Sequence, residues 1–277
     1  MLPRLIATDL DGTLLDPTGV LRPRSAAALQ AAADAGIVVV FATGRPPIVA
    51  GNEIAMAGHG VHYGVMANGT LICTLPDQQV LHSVTFATSL ARAAVHALRT
   101  HDPAFGFALV TDRGFTAEPG FTERMPVQHA SATVPDALVG HEESEVTFKL
   151  LAFHHHLDSL AMLRTMPAIV GDDLSVSHMG AEAVEIAPAG ADKGDGLRWL
   201  CAHLGIAGSD VLVFGDEVND LTMFEFAGEG IAVANARQLV LDAAAHVAPS
   251  NDDEGVAQMI EELLAAHAEG RRPSWQR

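Results

Sequence analysis

Apolar positions fall along the chain in two recurring textures. Residues 4–8 (RLIAT) are a short apolar run ending in acid, residues 24–36 (RSAAALQAAADAG) carry Ala and Leu up to a stop at Gly36, and residues 37–43 (IVVVFAT) are a β-branched run. Short continuous apolar runs predict strands buried on both faces, and the Ala-rich stretch between them predicts a helix. The order strand, helix, strand implies a parallel pair joined by a right-handed crossover.

The same texture returns later. Residues 194–205 (GDGLRWLCAHLG) predict a helix and 210–216 (DVLVFGD) a second buried strand ending in acid. A helix near 219–227, a strand at 230–234 (GIAVA), a helix near 236–245, a strand at 246–250 (HVAPS) and a last helix near 254–268 follow. This alternation predicts an α/β fold with a doubly wound, Rossmann-like parallel sheet. The final GRRPSWQR is expected to be frayed. Between the two halves, after a hairpin-like stretch at 69–84, helix candidates at 88–100 and 157–166 alternate with strand candidates GFALVTD, EVTFKLLAF and LSVSHMGAEAVEIA. The expected organisation is a discontinuous α/β core of residues 1–83 and 187–277, with an α+β domain, 84–186, inserted into it.

Composition narrows the function classes. With 277 residues, 49% of them apolar, the chain can bury a substantial core. A net charge of −18 opposes binding to nucleic acid or to an anionic membrane surface. Cys73 and Cys201 lie far apart with no metal-type spacing, so they are expected to be ordinary thiols in a reducing compartment. Asp9 interrupts any signal-peptide core, and no run approaches the ~20 apolar residues of a membrane span. A soluble, cytoplasmic protein is expected.

The chemically suggestive residues sit where the predicted strands end, which is where open α/β sheets collect ligands. Asp9 and Asp11 follow the first strand, Thr43 and Gly44 (FATGR) the second, and Asp216 (FGDEVND) a later one, while Lys193 (AGADKGDG) precedes a helix. Alternation along an extended stretch would send Asp9 and Asp11 to the same side, where their charges oppose each other and Asp216 adds to the repulsion. A hard divalent cation resolves this, and a few carboxylate or carbonyl oxygens with places left for water and phosphate suit Mg²⁺. Gly12 permits a sharp turn beside the acids, Thr43 and Gly44 offer a hydroxyl and a close backbone approach to an anion, and Lys193 offers a compact positive charge to a phosphoryl oxygen. Carboxylates are competent nucleophiles for phosphorus. The large negative charge is screened within about 8 Å at physiological salt, so Mg²⁺ and Lys193 can dominate locally.

Taken in order, DLDGT, ATGR, the Lys of ADKG and GDEVND resemble the four motifs of the haloacid dehalogenase superfamily, and the inserted region resembles the C2-type IIB cap of Cof-like phosphatases. The stretches EIAPAGADKGDGL, IAVANA and NDDEGVAQMIEELL extend the resemblance over nearly the whole chain. It implies a Mg²⁺-dependent phosphatase of small phosphorylated metabolites, such as sugar phosphates, phosphorylated cofactors or flavin precursors. Asp9 would attack phosphorus in line, and Asp11 would protonate the departing alcohol and then deprotonate the hydrolytic water. Asp9, Asp11 (through its backbone carbonyl) and Asp216 would hold Mg²⁺. Thr43 and Lys193 would stabilise the transferring group. Asn219 would touch phosphate or substrate, and Asp220 would orient Lys193 or the metal shell. Arg45 and the turn Asn68–Thr70 are expected near the mouth of the site, with Arg45 and Gly44 counted among the substrate-binding residues. Glu217 replaces the Asn of many relatives and is expected to face solvent or tune the metal region.

Other readings compete. A phosphotransferase or phosphomutase of the same superfamily would hand the phosphoryl group to a hydroxyl instead of water, and a non-catalytic module would only bind a phosphorylated ligand. Singly, each motif also has a bland explanation, Asn219 as a helix N-cap among them. The triplet His154, His155, His156 is expected at a solvated strand end, because adjacent strand residues point different ways and cannot readily share an ion. His178 and Met179 are assigned no role. The oligomeric state is not legible.

Overall fold

The computed structural model describes residues 2–47, 49–111, 114–124, 132–133, 138, 146–179 and 182–276. The chain packs as two compact units, Met1–His82 with Asp192–Arg277, and Ser83–Ala191.

The first unit is built on an eight-stranded sheet with Leu5–Thr8 near its middle. Leu5–Thr8 pairs in parallel with Val38–Ala42 on one side and Val211–Gly215 on the other, in registers Leu5↔Val38 and Leu5↔Val211. Tyr63–Met66 extends one wing in parallel, and Glu229–Val233 and His246–Ala248 extend the other. Leu71–Thr74 then adds an antiparallel strand, followed by Val80–Ser83 at the edge. The buried faces of these strands explain their uninterrupted Val, Ile and Leu content. Because the chain fills one wing before crossing to the other, the strand order reverses between Leu5–Thr8 and Val211–Gly215. A crevice opens at the carboxyl ends of strands at such a reversal.

Helices flank the sheet much as the sequence predicts. Pro23–Asp34 begins with Pro at its first turn and stops before Gly36, whose φ is +84°. Lys193–Leu204 is capped by Asp192, whose side chain accepts the Asp195 N–H at 2.8 Å, and ends on left-handed Gly205. Two expected helices are shorter than the sequence suggested. The one near 219–227 splits into a tight turn, Val218–Asp220, and a helix, Leu221–Phe226, with one oxygen of Asp220 turned back onto the N–H groups of Asp216 and Glu217 just before the turn. The next spans only Gln238–Ala243. The tail corrects the expectation of fraying: Arg271 pairs with Glu262 at 2.7 Å, and Gln276 donates to Glu229 at 2.7 Å. No helix among the described residues is long and apolar enough to cross a membrane.

The second unit holds a seven-stranded sheet centred on Val146–His154 and Phe105–Thr111, which pair antiparallel. The expected strand at 174–187 is instead two, Leu174–Met179 and Ala183–Pro188, also antiparallel; Gly180 and Ala181 lie outside the described residues, as do the side chains of His178 and Met179. The helices Thr88–His101 and Ser159–Thr165 bury Ala91, Val95, Leu98 and Met162 against Phe107, Leu109, Leu150 and Ile186 of one face. On the other face Val110, Leu151 and Phe153 pack with Phe115 and Phe121. His154 departs from the solvated position expected for it. It is 2% exposed, its Nδ1 accepts the N–H groups of His156 and Leu157 at 3.1 Å, and its Nε2 lies 3.1 Å from Asp102 Oδ2. The ring closes the end of its strand, while His155 and His156 are exposed.

Candidate active site

Asp9 follows the last residue of its strand and is 4% exposed, with its backbone N–H bonded to Phe214 C=O of the neighbouring strand at 3.1 Å. The chain then leaves the extended conformation. Residues Leu10–Leu14 form a wide turn closed by Leu15 N–H to Leu10 C=O at 2.9 Å, with Gly12 at φ +79°. A Cβ at Gly12 would lie 2.4 Å from Asp216 Oδ2, so a side chain there is excluded by the acid it faces. Two asparagines tie the turn down: Asn235 donates to Gly12 C=O at 2.7 Å and Asn251 to Leu15 C=O at 2.8 Å.

Lys193 is the largest charged group in this interior. Only 1% exposed at the first turn of its helix, it places Nζ 2.7 Å from Asp9 Oδ1 and 2.6 Å from Asp220 Oδ1. Burial disfavours the ammonium, yet the Asp220 and Asp9 charges outweigh it and raise the Lys193 pKa above its ordinary value. The other oxygen of Asp220 accepts the Asp216 and Glu217 N–H groups at 2.9 and 3.0 Å. Asp216, after the Val211–Gly215 strand, accepts the Thr13 hydroxyl on Oδ1 at 2.7 Å.

Carboxylate oxygens of Asp9, Asp216 and Asp220 lie within 4.8 Å of one another. Three acids against one lysine leave an excess of negative charge in a buried space. Asp9 responds with a raised pKa, from burial first, with the charges of Asp220 and Asp216 adding to it and Lys193 opposing. Burial likewise pushes Asp216 up to about 6, despite the Thr13 hydrogen bond. Among the described residues neither Asp9 Oδ2 nor Asp216 Oδ2 accepts a hydrogen bond. Two oxygens without donors, on acids destabilised by each other, are the donor set a hard divalent cation takes. Both oxygens of Asp220 are engaged, which leaves it outside that pair.

The expectation that Asp9 and Asp11 point the same way is not met. The period of two holds only in a strand, and the strand ends at Thr8. Asp11 turns outward, its side chain 57% exposed, and is gripped by Arg45, whose Nε and Nη2 reach its two oxygens at 2.7 and 2.5 Å. Thr43, 1% exposed, accepts the Arg45 backbone N–H on Oγ1 at 3.1 Å. Asn219 donates to Asn68 Oδ1 at 3.1 Å, and Asn68 holds φ +55° in the turn that the sequence placed near the mouth. A Cβ at Gly44 would come 3.2 Å from that same Asn68 oxygen, so the two loops pass closely. Glu217 caps the Val218 N–H and pairs with Arg237 at 2.7 Å; its charge adds to the pressure on Asp216. The structure thus joins Asp9, Lys193, Asp216 and Asp220 directly, and Asp11 to Arg45. Two contributors were missed. Thr13 stood inside the DLDGT motif and could have been found there, whereas Glu53, which meets Arg45 Nη1 at 3.0 Å, carries no local signal. Cys73 and Cys201 are free and buried, with thiols pushed up to about 11 by burial.

The family model of the haloacid dehalogenase-like hydrolases matches residues 6–260. The chain belongs to that family. As a haloacid dehalogenase-like hydrolase it is similar to the HMP-PP phosphatase of Serratia proteamaculans, 31% identical with 84% of each chain covered. It is also similar to the pyridoxal phosphate phosphatase YbhA of Escherichia coli, 29% identical over 94% of this chain and 98% of that one. A solved haloacid dehalogenase-like hydrolase from Bacteroides thetaiotaomicron has the same fold, with a TM-score of 0.78, 25% identity, and 94% and 99% of the two chains covered. The α/β core and the family expected from the motifs are those found.

Proposed function

We propose that this hydrolase cleaves phosphate monoesters of small metabolites with Asp9 carrying the phosphoryl group between two half-reactions. The observation that supports this most is the buried Lys193, set against Asp9 and Asp220 with Asp216 beside them at the ends of adjacent strands. Lys193 holds Asp9 through Oδ1, and an oxygen of that carboxylate attacks phosphorus as the bond to the leaving oxygen breaks. Its ammonium, kept protonated by the two acids, also faces the charge that spreads over the phosphoryl oxygens. The Thr43 hydroxyl receives an N–H from Arg45, so its own proton is available to a phosphoryl oxygen. Asp11 donates a proton to the departing alcohol. In the second half it takes one from water, whose oxygen joins phosphorus while the bond to the Asp9 carboxylate breaks.

Asp9 and Asp216, with the main-chain carbonyl of Asp11, would hold Mg²⁺. When bound, the ion supplies positive charge to the phosphoryl oxygens and relieves the repulsion between the acids. Asp220 serves by holding Lys193 and the Asp216 backbone. The relatives are named for HMP-PP and pyridoxal phosphate, which supports a phosphorylated metabolite of that size as substrate. We read the Ser83–Ala191 unit as the C2-type cap that selects which alcohol leaves.

A panel of phosphorylated metabolites offered to the purified protein, with Mg²⁺ and with chelator, tests this reading. Metal-dependent release of phosphate and alcohol in equal amounts is expected. A phosphorylated second product would make the protein a phosphotransferase, and silence across the panel would leave only ligand binding.

A further inference from the structure

We infer that Glu53 is a positioning residue for Asp11, acting through Arg45, a role that rests on the proposed proton transfers by Asp11. Glu53 lies on the Gly51–Ala57 helix and is 7% exposed. One of its oxygens accepts Arg45 Nη1 at 3.0 Å; the other is buried without a donor among the described residues. A buried carboxylate with an unmet oxygen is a costly arrangement, and Arg45 is what compensates it.

The guanidinium of Arg45 is therefore held on two sides. Nη1 points to Glu53, while Nε and Nη2 form a fork on Asp11. The base of the arm is fixed as well, by the Arg45 N–H on Thr43 Oγ1 and the Arg45 C=O on the Ala67 N–H, both at 3.1 Å. Asp11 itself is more than half exposed, and Arg45 is its side-chain partner among the described residues. Without that fork an exposed aspartate would sample several rotamers; with it, both oxygens are confined to one plane. Glu53 has a second effect. An arginine shared by two carboxylates has no surplus charge to offer a phosphate, so Glu53 commits Arg45 to Asp11 and withdraws it from the substrate-binding role that the sequence suggested.

The test separates proton transfer from phosphate binding by the leaving group. p-Nitrophenolate departs without a proton, whereas an alcohol needs one. In Glu53→Gln, which keeps the side chain's shape, kcat for the best alkyl phosphate of the panel is expected to fall roughly tenfold further than kcat for p-nitrophenyl phosphate, with KM for both within about twofold of wild type. Arg45→Lys should give the same pattern, because an ammonium cannot hold both oxygens of Asp11; it also carries the test should Glu53→Gln fail to fold. Equal losses on the two esters, or a raised KM with kcat retained, would overturn the inference. If the wild-type protein turns over neither ester, it is the hydrolase reading that falls, and this role falls with it.

Discussion

Lys193 and Asp220 meet at 2.6 Å, both buried, and the second oxygen of Asp220 is turned onto the backbone of Asp216 and Glu217. One side chain thereby couples the ammonium of one helix to the loop that presents the next acid. Position and charge of the cluster are set by the same contact.

Removing the ammonium should therefore be felt in stability as well as in turnover. Lys193→Met leaves Asp9 and Asp220 buried and facing each other without their shared cation. A loss of about 3–5 kcal/mol is expected in denaturant titrations of metal-free protein near neutral pH. The deficit should shrink in acid, where the carboxylates take up protons. A variant as stable as wild type at neutral pH would mean that the acids do not depend on Lys193.

Asp216 gives the pH dependence its sign. Its pKa is about 6 in the folded protein against 3.8 for the free side chain, so the folded state binds the proton more tightly. Its contribution to stability is then fully present below the unfolded value and is lost as pH rises through about 6. Compared with Asp216→Asn, metal-free wild type should lose stability across that window, as judged by Tm at a series of pH values. Parallel profiles for the two proteins would contradict the assignment.

Magnesium should return what the rise in pH removes. A ligand at a hundredfold its Kd adds about 2.7 kcal/mol when it binds only the folded state. Because protons compete for Asp9 and Asp216, the Mg²⁺-induced rise in Tm should be larger above pH 7 than near pH 5, and chelator should abolish it. An equal rise at both pH values, or one that survives in Asp216→Asn, would place the ion elsewhere.

Gly12 offers a geometric test of the same cluster. In Gly12→Ala the new methyl would meet Asp216 Oδ2 at 2.4 Å, at a backbone φ of +79° that L-residues avoid. A cost of about 1–3 kcal/mol is expected, together with a weakened Mg²⁺-induced Tm shift. A variant with full Mg²⁺ response would show that Asp216 can move without consequence.

The sequence was most informative where chemistry and topology coincide. Asp9 and Asp216 each follow a run of buried strand residues, and the reversal of strand order brings those two ends side by side, so composition and element order were enough to gather them. Lys193 was legible because its acid-capped helix starts at the same end of the sheet. The direction of Asp11 was not. The alternation argument assumed an extended backbone past Thr8, and the turn that replaces it is set by Gly12 and by Asn235 and Asn251 reaching in from more than 200 residues away. Glu53 was invisible for a related reason, since a buried acid in a short helix declares itself only through the partner the fold supplies. His154 was expected at a solvated strand end with His155 and His156, yet of the three only the last two are exposed.

The most direct measurement is to quench the protein in acid during turnover of an aryl phosphate and map the phosphoryl adduct by peptide mass spectrometry. The account predicts the adduct on Asp9, and in Asp9→Asn its disappearance together with a loss of turnover of at least about a thousandfold in a chain that remains folded. An adduct on another residue, or an Asp9→Asn variant that still hydrolyses the ester, would contradict it.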